Sequence, residues 1–225
     1  MKEGPLEQLS GIDDEDLPRM ARVRRHRPSL EIEDLEGRIT NELEQPNLWN
    51  KIDPGAEVAI TVGSRGITNI VRITKSVVQY LGAIGARPFI FPAMGSHGGA
   101  TALGQVEVLK KLGITEEEMD CPIRATMETL ELGWSSSGIP VFVDRYAAEA
   151  DGIFVINRIK PHTAFRGRIG SGLLKMMALG MGKGTGAQLA HRWAFGIGLD
   201  QELEVGKELY PLSFDREGNL TLLPH

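Results

Sequence analysis

The feature that most restricts the fold is a local pattern met repeatedly: an apolar run, then a turn of small or polar residues, then a helix. In "EVAITVGSRGITN" a buried strand, Val58 to Val62, runs into a Gly-Ser-Arg-Gly turn. The helix after it carries Ile70, Ile73, Val77, Val78 and Leu81 on one stripe. "ARPFIFPAMGSHGGAT" repeats this order, with a strand near Phe89–Phe91, a glycine-rich turn, and a helix from about Ala102 to Leu112 that Gly113 stops. "GIPVFVDRYAAEADGIFVINRIKPH" gives a short strand at Val141–Val143, a brief helix and a strong strand at Gly152–Asn157. Three strand–loop–helix units predict an α/β fold: a mainly parallel sheet with helices on both faces.

The loops of that pattern carry the chemistry. The strand ending at Val62 leads to Arg65, the strand near Phe91 to His97, and the strand ending at Asn157 to Lys160 and His162. Ligands of open α/β sheets gather outside the carboxyl ends of the strands. An active site is therefore expected on that rim.

Composition narrows the class of partner. The net charge of -5 argues against a general binder of nucleic acid or of anionic membranes. No run approaches the roughly 20 apolar residues that span a bilayer. One cysteine, Cys121, excludes an internal disulfide framework, and beside Pro122 it reads as a small buried residue. The N-terminus "MKEGPLEQLSGIDDEDLPRM" is acidic without an apolar segment, which is no signal peptide, so a cytoplasmic location is expected. Three regions are expected: a polar arm over 1–50 that packs on the domain, an α/β domain over 51–205, and a hairpin-like tail over 206–225 around "DREGNL". The arm holds a basic cluster at Arg22, Arg24, Arg25 and Arg27, which reads as a solvated face, and a short exposed helix within 35–50.

Single residues have both bland and functional readings. His97 lies between glycines in "GSHGGAT", where exposure to a ligand is favoured over core packing. His162 in "IKPHTAF" is a backbone-bonding loop histidine or an acid–base group. Arg65 fits an anion, because its guanidinium fork matches carboxylate or phosphate oxygens. "GRIGSGLLKMMALGMGKGTGAQLAH" sets Lys175 in a glycine-rich loop, as nucleophile, phosphate ligand or solvated side chain. "GMGKGTG" fails the P-loop pattern, since Gly184 follows Lys183. His191, on a helix expected from Ala187 to about Leu199, is by itself a structural histidine more often than a metal ligand.

Together, "GSRGITN", "GSHGGAT" and the run from "ADGIFVINRIKPH" to "GTGAQLAH" make the chain resemble the lactate racemase family over roughly residues 55–200. The resemblance implies a cofactor, the nickel-pincer nucleotide (pyridinium-3-thioamide-5-thiocarboxylic acid mononucleotide with nickel). It implies that Lys175 holds this nucleotide through a thioamide, with Ser171 and Gly172 beside it. It implies that His191, sixteen residues on, completes the nickel coordination. His97 and His162 would be the acid–base pair, and Arg65 would bind a substrate carboxylate. The implied activity is racemisation or epimerisation of an α-hydroxy acid by proton-coupled hydride transfer. The alternative is a truncated, non-catalytic relative that binds the nucleotide. The family's second α/β domain has no candidate here, and Val62 stands where lactate racemase carries an acidic residue before the arginine. The implied partners are a hydroxy acid and cofactor-making enzymes, and a homo-oligomer is compatible with both readings.

Overall fold

The computed structural model describes residues 32–45, 52–135, 138–159, 172–197, 212–214 and 220–222. The chain divides into two compact units, Met1–Glu33 and Asp34–His225, and every element below belongs to the second. The arginine cluster at 22–27 lies outside the described residues.

The centre is a parallel three-stranded sheet in the order β2-β1-β5, formed by β1 (Glu57–Val62), β2 (Arg87–Pro92) and β5 (Gly152–Phe154). Alternation along β1 and β2 divides the core between the two faces. Val58, Ile60, Val62 and Ile90 pack with Ile70, Val77, Val78 and Leu81 of α2 (Ile70–Ala83), Leu109 of α3 (Ala102–Lys111) and Met119 of α4 (Glu116–Met119). Ala59, Phe89 and Phe91 face the opposite way. They meet Ala147 of α5 (Arg145–Glu149), Leu174 of α6 (Leu173–Lys175), and Met176, Met177 and Met181 of a π-helix (Met176–Met181). Burial on both faces explains why the strands read as continuous apolar runs. The expected α/β architecture with helices on both faces is what the chain adopts.

Four local expectations change. The Val141–Val143 strand, β4 (Pro140–Asp144), is not in the parallel sheet; it pairs antiparallel with β3 (Thr129–Trp134). The expected Gly152–Asn157 strand pairs only as far as Phe154, after which Thr61 Oγ1 takes the Ile156 amide at 2.9 Å in place of a ladder bond. The exposed helix within 35–50 is α1 (Leu35–Leu43), and it buries Leu35 and Leu43, the second in the α2 core. Lys175 stands in no loop: it closes α6 and runs directly into the π-helix, because Leu-Leu-Lys-Met-Met-Ala-Leu is made of strong helix formers.

The helix carrying His191, α7 (Lys183–Ile197), begins four residues earlier than expected. Gly113, at φ +81, follows α3 as the helix stop predicted for it. At the far end β6 (Leu212–Phe214) pairs antiparallel with β7 (Leu220–Leu222). Among the described residues, no helix is long and apolar enough to cross a membrane.

Candidate functional site

The chain leaves β1 toward α2 on one face of the sheet, and leaves β5 toward α6 on the other. The carboxyl rim is where doubly wound folds bind ligands. Three strand-end loops meet the Lys175 segment there. After β1, Gly63 lies against Met176: a Cβ on this glycine would come within 3.0 Å of the methionine methyl. After β2, the Gly95 amide donates to the Gly180 carbonyl at 3.0 Å. After β5, Asn157 Nδ2 donates to the Gly172 carbonyl at 2.8 Å. The approach at Gly180 leaves no room for a side chain, since a Cβ would sit 2.6 Å from the Ala93 carbonyl oxygen.

His97 is exposed on this rim, just before a short 3-10 turn (Gly98–Ala100). Its loop presses backbone to backbone on the first turn of α3: a Cβ on Gly98, at φ +68, would lie 2.6 Å from Gly104. Thr101 caps α3 by accepting the Gly104 amide at 3.0 Å, so the histidine loop is fixed to a rigid helix start. The imidazole Nδ1 lies 3.0 Å from the Met94 carbonyl oxygen and 2.9 Å from Ser64 Oγ. A carbonyl only accepts, so the Met94 contact is a hydrogen bond in the tautomer with the proton on Nδ1 and the lone pair on Nε2, while the Ser64 hydroxyl can donate or accept. Ser64 joins the β1 and β2 loops, and Arg65 beside it is exposed and makes no ion pair with a described residue.

The structure thus brings the Arg65 turn, His97, Gly172 and the Lys175 segment to one rim. His162 and Ser171 lie outside the described residues, and His191 is described only as a position on α7. No group of three or more metal-ligating side chains occurs among the described residues.

Below the rim lies a polar cluster that sequence reasoning passed over. Lys183 is wholly buried, and its ammonium contacts three acceptors: Asp144 Oδ2 at 2.9 Å, Gln105 Oε1 at 3.0 Å and the Pro92 carbonyl. Asp144 is equally buried, and its Oδ1 caps α5 by accepting the Tyr146 and Ala147 amides. Burial pushes the Asp144 carboxyl up and the Lys183 ammonium down, while their mutual attraction opposes both shifts. Lys183 also holds a left-handed φ of 53°, a strain on the order of 1–3 kcal/mol for a side chain with a Cβ. That kink interrupts the helical run and separates the π-helix from α7. The available signal was a lysine between glycines in "GMGKG", which failed as a phosphate loop and received no other role. Asp144 had a clearer one, as an acidic residue at the junction of strand and helix.

A family model, the lactate racemase N-terminal domain, matches residues 8–192. The chain belongs to that family. Comparisons with curated proteins and with solved structures give no match. The family places the protein among racemase-like isomerases, and the matched span takes in the rim, the Lys175 segment and the His191 position.

Proposed function

We propose that the chain holds a nickel-pincer nucleotide and racemises or epimerises an α-hydroxy acid. The supporting observation is the convergence of the three strand-end loops on the Lys175 segment, in a chain of this family. The donor set fits such a group. Lys175 brings an amine by residue type to the end of α6, where the next residue, Met176, lies against Gly63, and α7 carries the position of His191. Lys175 would tether the nucleotide, with Ser171 and Gly172 beside it, and His191 would ligate the metal. When bound, the group supplies an acceptor for the hydride that leaves the substrate carbon.

The chain's own residues do the rest. Arg65, exposed in the β1 turn, takes the substrate carboxylate in its guanidinium fork and fixes one end of the molecule. His97 Nε2, with its lone pair free, takes the hydroxyl proton as the carbon loses hydride and a flat keto acid forms. Inversion needs a proton donor and acceptor on the opposite face, and His162 is assigned that role. With the proton delivered back to oxygen on the other face, the hydroxy acid would emerge with opposite handedness, the hydride exchange at carbon being the chemistry the bound group would supply.

The test is to co-express the chain with cofactor-making enzymes and measure intact mass and nickel content. The expected result is an adduct and stoichiometric nickel, both abolished by Lys175→Ala. His97→Ala should keep the adduct and lower turnover by about 10²–10⁴-fold, the usual contribution of a positioned acid–base group. A wild-type chain with neither adduct nor nickel after co-expression overturns the cofactor reading.

A further inference from the structure

We propose that Gln105, oriented by the buried Lys183–Asp144 pair, is a positioning residue that sets which ring nitrogen of His97 carries the proton. The role matters for turnover only within the reading above, in which His97 Nε2 is the base.

The argument runs from donors and acceptors. An ammonium has three N–H groups and no lone pair, and Lys183 hydrogen-bonds the Pro92 carbonyl and Gln105 Oε1 while its charge is paired with Asp144 Oδ2 at 2.9 Å. Gln105 is wholly buried on α3 and has one acceptor atom and one donor atom to place. Because Lys183 can only donate, it fixes the Gln105 amide with Oε1 toward the ammonium. Nε2 must then point the other way. There it donates to the Gly95 carbonyl at 2.8 Å and to the His97 carbonyl at 3.3 Å. Those two carbonyls bracket the turn in which the His97 amide donates to the Met94 carbonyl at 3.1 Å. The same Met94 carbonyl accepts from His97 Nδ1 at 3.0 Å. The loop conformation that puts a carbonyl against Nδ1 is therefore held from beneath by Gln105, and Gln105 is held by Lys183. Asp144 balances the ammonium and, through its second oxygen, ties the cluster to the start of α5.

A surface histidine has no reason to favour Nδ1–H; the isolated side chain prefers the proton on Nε2. That preference supplies a measurable contrast. Nitrogen-15 spectra of the imidazoles in the unloaded chain, above the pH at which the rings are neutral, read the tautomer of His97 directly, with His97→Gln assigning the signal. Wild type is expected in the Nδ1–H form. Gln105→Glu is isosteric and still accepts from Lys183, but it loses both donations, and the His97 signal should shift toward the Nε2–H form. Lys183→Met combined with Asp144→Asn removes both charges and keeps the glutamine, so it guards against a single variant that fails to fold. It should shift the signal the same way, because the amide is no longer oriented. Retention of the Nδ1–H form in either folded variant, or an Nε2–H form in wild type, overturns the proposal. Neither reading of the tautomer depends on cofactor loading, so failure of the proposed function shows separately, in the mass and nickel measurements.

Discussion

The two ends of the central sheet are both tied by ion pairs, in opposite styles. At the amino end Glu57, the first residue of β1, pairs with Arg124 at 3.0 Å, each side chain about a third exposed, at 31% and 37%. Arg124 also lies over the Phe89 ring, 4.3 Å from its centroid. At the carboxyl end Lys183 and Asp144 pair at 2.9 Å with no exposure at all. Water can take over from either member of the first pair and from neither member of the second. An exposed pair adds little and costs little to lose, whereas a buried pair is weak evidence for stability but severe to break. A chain that places its expensive charges under the carboxyl rim is organising the loops there.

The largest effect is expected from Asp144→Ala. It leaves the Lys183 ammonium buried with no counter-charge and strips the α5 amides of their cap, a loss of about 3–5 kcal/mol in urea denaturation. Removing both charges, as Lys183→Met with Asp144→Asn, should cost clearly less than the single change, since no unpaired charge remains. If the double variant is the less stable of the two, the contrast between the rims fails. Next comes Gly180→Ala. Its Cβ would meet the Ala93 carbonyl oxygen at 2.6 Å and Met176 Sδ at 2.7 Å, so the π-helix must move off the β2 loop. The expected cost is about 1–3 kcal/mol, as for other overpacked sites. An alanine that fits without loss would mean the two segments are not in register as described.

The amino rim and the sheet were legible because they follow from periodicity. Val58, Ile60 and Val62 on one face, and the stripe from Ile70 to Leu81, need only the alternation of a strand and the turn of a helix. His97 and Arg65 were legible for a related reason, as polar residues in glycine turns just past apolar strands. The carboxyl-rim cluster was not. Lys183, Asp144 and Gln105 lie far apart in sequence, and a buried lysine looks the same in a sequence as a solvated one. Only burial and three acceptors distinguish it. β3 was missed although Leu130, Leu132 and Trp134 alternate with Thr129, Glu131 and Gly133; its apolar residues are exposed, so the alternation marks no buried face. The helical state of the Lys175 segment was obscured by flanking glycines, of which Gly180 serves close approach to Ala93 and not loop freedom.

The smallest effect, and the one that separates the rims by sign, is expected from acid. The Arg124 guanidinium hydrogen-bonds the Glu57 carboxylate and holds it below its ordinary value of 4.5. A carboxyl that is more acidic in the folded chain gives stability that is complete above 4.5 and lost as pH falls through the folded value. Asp144 moves the other way: burial raises it, so the folded chain accepts that proton before the unfolded one, and acid withdraws no stability through it. Glu57→Gln should therefore lower the urea midpoint slightly at about pH 7, and the gap to wild type should close as pH falls through the lowered folded value of Glu57 and its carboxylate is protonated. A gap that persists unchanged in acid would show that Glu57 acts through packing on β1, and the electrostatic contrast between the two rims would then rest on the buried pair alone.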